Sequence, residues 1–384
     1  MNYPIYLDYN ATTPCDPRVV ETMLPYFTHD FGNAASKSHA NGWVAEEAVD
    51  IARENIAALI SAEKGEIIFT SGATEAVNLA LRGVYEMYSS KGNHIITCSV
   101  EHKAVLDTCQ YLESIGADIT IVPVNEDGRV DPEAIEKAIR PGTILISVMY
   151  ANNETAVIMP VREIAAIAKK YGVIFFSDAT QAVGKIPVSV LEDGIDLLSC
   201  SAHKMYGPKG VGALYVRRRD PRVRLKPMQF GGGHEKGLRS GTLNVPGIVG
   251  FGKASALAST EMQTEAVKLK LLRDQLLDSL LSVNGTLLNG SREHLLPHAF
   301  NISFNGIDSQ VMISHLNKSL AVSSGSACTS ASLEPSYVLR ALGIGDERAS
   351  SSIRFSLGRM TTETEIANAI GYVKDVLSSL KSFS

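Results

Sequence analysis

The sequence predicts an α/β protein with a largely parallel sheet and a second, smaller α+β domain. With 384 residues, the chain exceeds the size at which one hydrophobic core usually stops growing, so two domains are expected. From about residue 50 to 216, short apolar runs alternate with amphipathic helical patterns, which is typical of a parallel sheet covered on both faces. After about Gly250 this alternation ends. A long helical pattern and shorter strand and helix units follow.

Short apolar runs define the predicted strands of the large sheet. They occupy residues 67–69, 94–98, 119–124, 144–149, 173–176 and 195–200. A helical pattern at 46–60 precedes them, and the long helix of the second domain is predicted at 265–281. We assign residues 16–261 to the large domain, and residues 1–15 and 262–384 to the small one.

Composition and charge exclude several classes of protein. The hydrophobic fraction is 45% and the charged fraction 20%, both ordinary for a globular enzyme. A net charge of −5 argues against nucleic acid as the main partner. Five arginines form one basic cluster: Arg217, Arg218, Arg219, Arg222 and Arg224. We predict that these arginines are solvent-exposed where the chain leaves a strand. The alternative is that they bind an acidic protein partner.

The sequence also indicates a compartment. The N-terminus has neither the basic segment nor the apolar core of a secretory signal, and no apolar run approaches the roughly 20 residues that span a bilayer. The five cysteines form no C-x-x-C pair and have no zinc-like spacing. Reduced thiols in a cytoplasmic protein without membrane contact are therefore expected.

Polar side chains follow two consecutive strands of the predicted sheet. Asp178 comes directly after one strand, where it either caps a helix or faces a ligand. Lys204 follows the next strand and enters a turn rich in glycine and proline. Because ligands bind beyond the carboxyl ends of such strands, both side chains are expected over the same sheet edge.

This pair has a chemical rationale. A lysine can attach covalently to a cofactor carbonyl, and a carboxylate can hold a pyridine nitrogen protonated, so that the ring accepts electrons. Residues 70–75 (Thr-Ser-Gly-Ala-Thr-Glu) begin a helix whose first N–H groups favour a phosphate. A pyridine aldehyde with a phosphate group would use all three features.

With these residues assembled, the chain resembles the cysteine desulfurases of the NifS/IscS class, which are fold-type I pyridoxal-phosphate enzymes of the class-V aminotransferase family. The matching segments are 6–14, 70–75, 101–103, 152–154, 178–181, 201–210, 231–242, 323–335 and 353–358. The resemblance implies a mainly parallel seven-stranded sheet and a homodimer whose active site lies near the subunit interface.

The resemblance also implies roles for individual residues. Lys204 would bind the cofactor covalently and transfer protons, Asp178 would pair with the pyridine nitrogen, and Gln181 with the ring hydroxyl. His102 would stack on the ring and move protons. The remaining cofactor contacts would be Ala73, Thr74, Asn153, Ser201, His203 and, from the other subunit, Thr242. Asn153 and Arg354 would receive the substrate L-cysteine, since the planar fork of an arginine suits a carboxylate.

Cys328 is the expected sulfur acceptor. Residues 323–332 are small and polar without a hydrophobic period, which predicts a mobile loop. A nucleophilic thiol needs such exposure, whereas Cys98, Cys109 and Cys200 occupy strand or helix patterns and are expected to be structural. Cys15 is assigned with them. No metal is expected at the cofactor; Cys328 is where iron or a cluster would bind transiently.

The family mechanism would convert L-cysteine to L-alanine and leave its sulfur on Cys328 as a persulfide. That persulfide could supply iron–sulfur cluster assembly or tRNA thiolation, and the residues do not name the acceptor. Many relatives continue beyond the position of Ser384 with an extension that helps to dock an iron–sulfur scaffold protein, so this partner stays open. Two of the departures from the family are Ala156, where glycine is usual, and Met159, where glutamine is common. If residue 156 needs a positive φ or close backbone contact, the fit of the cofactor or substrate would shift slightly.

Two kinds of alternative share some of these residues. A selenocysteine lyase or an aminotransferase of the same fold would share the cofactor residues. However, an aminotransferase needs no loop cysteine, and the selenocysteine-active branch has a shorter cysteine loop. An inactive subunit kept for assembly would have lost Lys204, Asp178 or Cys328, and the chain contains all three.

Overall fold

The structure is a computed structural model that describes residues 3–324 and 334–381. The strands are β1 (Ile5–Tyr6), β2 (Ile67–Thr70), β3 (His94–Cys98), β4 (Asp118–Val122), β5 (Thr143–Ser147), β6 (Ile174–Asp178), β7 (Leu197–Ser201), β8 (Gly212–Val216), β9 (Thr286–Leu288), β10 (Ala299–Phe304), β11 (Leu320–Ala321) and β12 (Ser352–Ser356).

The helices pack on both faces of the large sheet and around the smaller one. They are α1 (Pro17–Met23), α2 (Pro25–Thr28), α3 (Ala40–Leu59), α4 (Ala73–Tyr88), α5 (Lys103–Ser114), α6 (Pro132–Ala138), α7 (Val161–Tyr171), α8 (Val245–Leu281), α9 (Ser309–Leu316), α10 (Tyr337–Ala341), α11 (Asp346–Ser350) and α12 (Glu363–Lys381). No helix within the described residues combines the length and the apolar character needed to cross a membrane.

The large sheet has seven strands in the order β2-β8-β7-β6-β5-β3-β4. Neighbours pair in parallel from β7 to β4, whereas β8 is antiparallel to both β2 and β7. The mainly parallel α/β fold is confirmed, and each strand predicted from an apolar run is present with its ends within two residues. All residues of β3, β6 and β7 are buried, which explains their continuous apolar patterns.

The long helix α8 starts at Val245, not at residue 265 as predicted. Glycines in its first turns interrupt the apolar pattern on which the prediction depended. One of them, Gly252, lies so close to α3 that an added Cβ would be 2.4 Å from the Cα of Ala52. The glycines that weakened the helical signal therefore allow close packing between two helices.

Helix α8 contributes to two hydrophobic cores. Its residues up to Ala258 pack into the core of the large sheet, and those from Leu269 pack against the antiparallel sheet β12-β10-β9. The division at residues 261/262 lies between these two groups. Val338 and Leu342, however, are buried in the large-sheet core, although the prediction assigns them to the small domain. The domain boundaries therefore stay a prediction.

The basic cluster begins directly after β8 and is partly paired within the chain. Arg217 Nε lies 2.9 Å from a carboxylate oxygen of Asp196, and Arg219 Nη1 lies 3.4 Å from one of Glu63. The Arg217 side chain is mostly buried. The predicted solvent exposure thus fits Arg219, whereas the side chain of Arg217 is packed against the sheet.

Candidate active site

One cavity of about 540 Å³ lies beyond the carboxyl ends of β2, β6 and β7. The predicted site residues that line it are Ala73, Thr74, His102, Asn153, Asp178, Gln181, Ser201, His203, Lys204 and Arg354. Thr242 is exposed and does not line it. Cys328 lies outside the described residues. The cavity thus brings together, from both halves of the chain, most of the residues that the sequence singled out.

Lys204 follows β7 in a short 3₁₀ turn, Ala202–Lys204. Its Nζ donates to the carbonyl oxygens of Asn10 at 2.6 Å and Ala11 at 2.7 Å. Two residues later, Tyr206 has a φ of +64°, and its N–H donates to Thr13 Oγ1 at 2.8 Å. The N-terminal segment of the chain therefore fixes both the lysine head and the turn that carries it.

Asp178 ends β6 with its side chain almost fully buried. Its Oδ1 accepts hydrogen bonds from Thr180 N at 3.1 Å, Thr180 Oγ1 at 2.5 Å and Ser199 Oγ at 2.9 Å. From the sequence, Asp178 could either cap a helix or face a ligand. In the structure its carboxylate caps a turn and also lines the cavity. These three donors orient the carboxylate.

The N-terminus of α4 supplies a phosphate-binding geometry. Gly72 precedes the helix, and no side chain caps its first N–H groups. The backbone of β8 touches this turn: a Cβ added to Gly212 would lie 2.7 Å from the Cα of Gly72, so only glycine fits there. At Gly72 itself, an added Cβ would meet no atom within 4 Å. The uncapped amides thus border open space, where an anion is favoured.

His203 lines the same cavity as the α4 turn and Lys204. Its Nδ1 lies 3.1 Å from Thr12 Oγ1, and burial, assisted by the charges of Lys204 and Lys209, lowers the pKa of His203 to about 4. The imidazole is therefore neutral at neutral pH, and the two lysines supply the positive charge at this end of the cavity. Lys209 lines the cavity as well, a contribution that the sequence analysis did not single out.

Arg354, on β12, forms another part of the cavity wall. Its side chain is 2% exposed, and its Nη2 donates to Asp8 Oδ1 at 2.6 Å. Nη1 donates to the carbonyl oxygen of Asn153 at 2.9 Å. Asn153 Oδ1 is buried without a hydrogen-bond partner among the described residues. This wall therefore offers a guanidinium and a buried acceptor, which suit the carboxylate and the amino group of an amino acid.

His102 caps helix α5. Its Nδ1 accepts from Ala104 N at 3.1 Å, so the neutral ring carries its proton on Nε2. The preceding Glu101 is fully buried, and its Oε1 accepts from Met149 N at 2.6 Å and Cys98 Sγ at 3.3 Å. Burial raises the pKa of Glu101 to about 8. A neutral carboxylic acid thus lies behind His102, which the sequence gave no means to predict.

Glu101→Gln should make the protein more stable at pH 8 and flatten the fall of its stability with pH. The folded-state pKa of Glu101, about 8, exceeds the ordinary value of 4.5. Its contribution to stability is therefore complete below about pH 4.5 and is lost as the pH rises through 8. Glutamine mimics the protonated acid and carries no such loss. Urea unfolding of both proteins at several pH values checks this. If the free energy of unfolding depended on pH in the same way in both, Glu101 would not be a buried neutral acid.

The cysteines of the described residues are free thiols. Cys98, Cys109 and Cys200 are buried, and burial raises the pKa of Cys109 and of Cys200 to about 12. The pKa of Cys15 is raised as well, again by burial. None of these four is in the thiolate form that a nucleophile requires, in agreement with the structural role expected for them.

Ala156 and Met159, where this chain departs from the family, do not line the cavity. Ala156 has a φ of +62°, the left-handed conformation in which glycine is usual. Its side chain is fully buried, as is nearly all of Met159. Residue 156 thus has the positive φ that glycine adopts most easily, and buried packing supports the alanine in this conformation.

Comparison with known proteins agrees with this geometry. The family model described as aminotransferase class-V matches residues 5–368. A cysteine desulfurase IscS of Anaeromyxobacter dehalogenans is 56% identical over all of this chain and 95% of its own length. One of Edwardsiella ictaluri is 54% identical with the same coverage.

Solved structures give the same result. A NifS-like protein superposes with a TM-score of 0.91 at 37% identity, covering 99% of this chain and 100% of that one. A structure described as SspA in complex with cysteine has a TM-score of 0.81 at 36% identity and covers 92% of this chain and 98% of that one.

The chain therefore belongs to the class-V aminotransferase family, whose cofactor is pyridoxal phosphate. Within that family it is a member of the cysteine desulfurase group. The residues present fit the cofactor. Lys204 matches its carbonyl, Asp178 its pyridine nitrogen, and the uncapped amides after Gly72 its phosphate.

Proposed function

We propose that this chain converts L-cysteine to L-alanine and transfers the sulfur to Cys328. This sulfur would then be supplied to iron–sulfur cluster assembly and to tRNA thiolation. One observation carries the proposal. A lysine, a buried aspartate and an uncapped helix N-terminus face one cavity, in a chain 56% identical to a named cysteine desulfurase.

When bound, pyridoxal phosphate supplies an electron sink for negative charge at the substrate's α-carbon. Lys204 would bind it covalently and move the α-proton, while Asp178 would keep the pyridine nitrogen protonated. Gln181 would donate to the ring hydroxyl. His102 would stack on the ring and exchange protons through its Nε2, because Nδ1 is occupied by the cap of α5.

Five residues are proposed to bind the phosphate. They are Ala73, Thr74, Ser201, His203 and, in a homodimer, Thr242 of the partner subunit. The exposure of Thr242 on a single chain supports a contact made across subunits. Neutral His203 can donate one hydrogen bond without adding charge, and Lys209 and the α4 dipole add the attraction.

Arg354 and Asn153 are proposed to hold the substrate. Asp8 fixes the guanidinium at the cavity wall, so that the carboxylate meets a positioned group. The thiolate of Cys328 attacks the sulfur of L-cysteine. The S–S bond forms as the C–S bond breaks, and the electron pair of that bond goes to the carbon skeleton, which takes up a proton and leaves as L-alanine.

The same proposal covers partners and location. A persulfide carrier requires thiols that stay reduced, and the four described cysteines are free, which supports a cytoplasmic location. An iron–sulfur scaffold protein is the proposed main acceptor, with Cys328 meeting iron or a cluster only transiently. Residues 16–261 are proposed as the large domain, and 1–15 with 262–384 as the small one.

Mass spectrometry after incubation with L-cysteine tests the proposal. We expect one added sulfur on Cys328, together with equal amounts of L-alanine and, with added thiol, sulfide. An oxo acid instead of alanine would indicate an aminotransferase, and activity on selenocysteine alone would indicate a selenocysteine lyase. No product at all from cofactor-loaded protein would favour an inactive assembly subunit.

A further inference from the structure

Asn10 connects three groups of the cavity although it was given no role from the sequence. Its carbonyl oxygen accepts from Lys204 Nζ at 2.6 Å and from Gln181 Nε2 at 3.1 Å. Its side-chain Nδ2 donates to the carbonyl oxygen of Asn153 at 3.2 Å. The residue is 1% exposed. Any rotation of Asn10 would therefore disturb the lysine, the ring-hydroxyl donor and the substrate wall together.

His298 fixes the orientation of this asparagine. The carbonyl of Asn153 can only accept, so the Asn10 amide must direct its nitrogen there and its Oδ1 to the other side. His298 Nε2 lies 2.9 Å from that Oδ1. An oxygen acceptor requires a donor, and the imidazole of His298 must therefore carry its proton on Nε2.

The surroundings of His298 favour a neutral ring held in one tautomer. The side chain is fully buried, and Nδ1 has no hydrogen-bond partner among the described residues. Burial, together with the nearby charges of Lys185 and Arg273, lowers the pKa of His298 well below its ordinary value. Burying an imidazole costs free energy unless its N–H makes a hydrogen bond, so the bond from Nε2 to Asn10 is needed to hold His298 in place.

We propose that His298 is a positioning residue for the cofactor lysine: its Nε2–H···Oδ1 hydrogen bond fixes Asn10, whose carbonyl orients Lys204 and Gln181. This inference rests on the proposed function, because it assigns these two residues to the cofactor. His298 comes immediately before β10, in the small sheet. The small sheet thus reaches the cofactor lysine through two hydrogen bonds.

Two variants of equal polarity separate positioning from packing. In His298→Gln the amide nitrogen reaches the position of Nε2, whereas in His298→Asn it stops one bond short. We expect His298→Asn to weaken binding of pyridoxal phosphate to the apoprotein about tenfold, as for a lost buried hydrogen bond. It should also shift the pH midpoint of the cofactor's visible absorbance. His298→Gln should restore both values close to those of the wild type.

Ile302→Val is the matched control, since Ile302 is fully buried in the same core. It should lower the unfolding temperature and leave both cofactor measurements unchanged. Equal affinity and midpoint in His298→Asn and the wild type would overturn the inference, as would an Ile302→Val that shifts them equally. If the wild type itself bound no pyridoxal phosphate, the proposed function would fail as well.

A measurement without variants gives a second test should His298→Asn not fold. Nitrogen-15 NMR of labelled holoenzyme, with the His298 ring assigned through its backbone resonances, should show that this imidazole stays neutral and Nε2-protonated across the neutral pH range. A His298 ring protonated on Nδ1, or one that titrates near its ordinary pKa, would refute the hydrogen bond to Asn10.

Discussion

Lys204→Ala is expected to abolish desulfuration, lowering kcat by at least about 10³-fold. The variant loses the covalent link to the cofactor and the group that moves the α-proton. The carbonyls of Asn10 and Ala11 would also lose the donor that they now accept from. Protein purified with pyridoxal phosphate should therefore lack the visible absorbance of the lysine-linked form, and alanine release should fall to background.

Lys169→Ala serves as the control, because Lys169 is exposed on α7 and does not line the cavity. It should keep the colour and the rate of the wild type. A Lys204→Ala protein that retained the lysine-linked absorbance would show that another residue binds the cofactor. In that case Lys209, which lines the same cavity, would be the first to test.

Cys328→Ser should keep the absorbance of bound cofactor yet lose sulfide release by more than about 10²-fold. A serine hydroxyl is not ionised at neutral pH and forms no persulfide. Binding of L-cysteine should continue, because Arg354 and Asn153 are unchanged. The expected result is thus a perturbed cofactor spectrum on addition of L-cysteine without production of alanine, measured by amino-acid analysis.

Cys15→Ser provides the comparison for this experiment, since Cys15 is the most accessible of the four described thiols. We expect it to desulfurate at the rate of the wild type. Full sulfide release by Cys328→Ser would rule out Cys328 as the acceptor. Loss of activity in Cys15→Ser would instead point to a second thiol in sulfur transfer.

Patterns with a strong local signal predicted much of the fold and part of the site. Buried parallel strands are continuously apolar, so their positions could be predicted within two residues. Lys204 and Asp178 could be paired because each follows such a strand, and strands of this kind end at one edge. Helix α8 was only half recognised, because buried glycines replace the apolar residues that mark a helix face.

Asn10, Glu101 and His298 could not be predicted in the same way. Asn10 acts on the lysine through its main-chain carbonyl, which every residue type possesses. Glu101 owes its raised pKa to burial, which depends on the packed structure. His298 lies 288 positions from the asparagine that it contacts, and no local pattern connects two residues so far apart.

The N-terminal segment has a consequence for the order in which the protein can be made. Strand β1 pairs with β11, Arg354 binds Asp8, and Ser356 accepts from Asn10 across a separation of 346 residues. The first dozen residues emerge from the ribosome first, but these three contacts can form only after the C-terminal strands have been synthesised. The large sheet can form during translation, while the acceptors of Lys204 must wait for nearly the whole chain. The cofactor is therefore expected to bind only after synthesis of the chain is nearly complete.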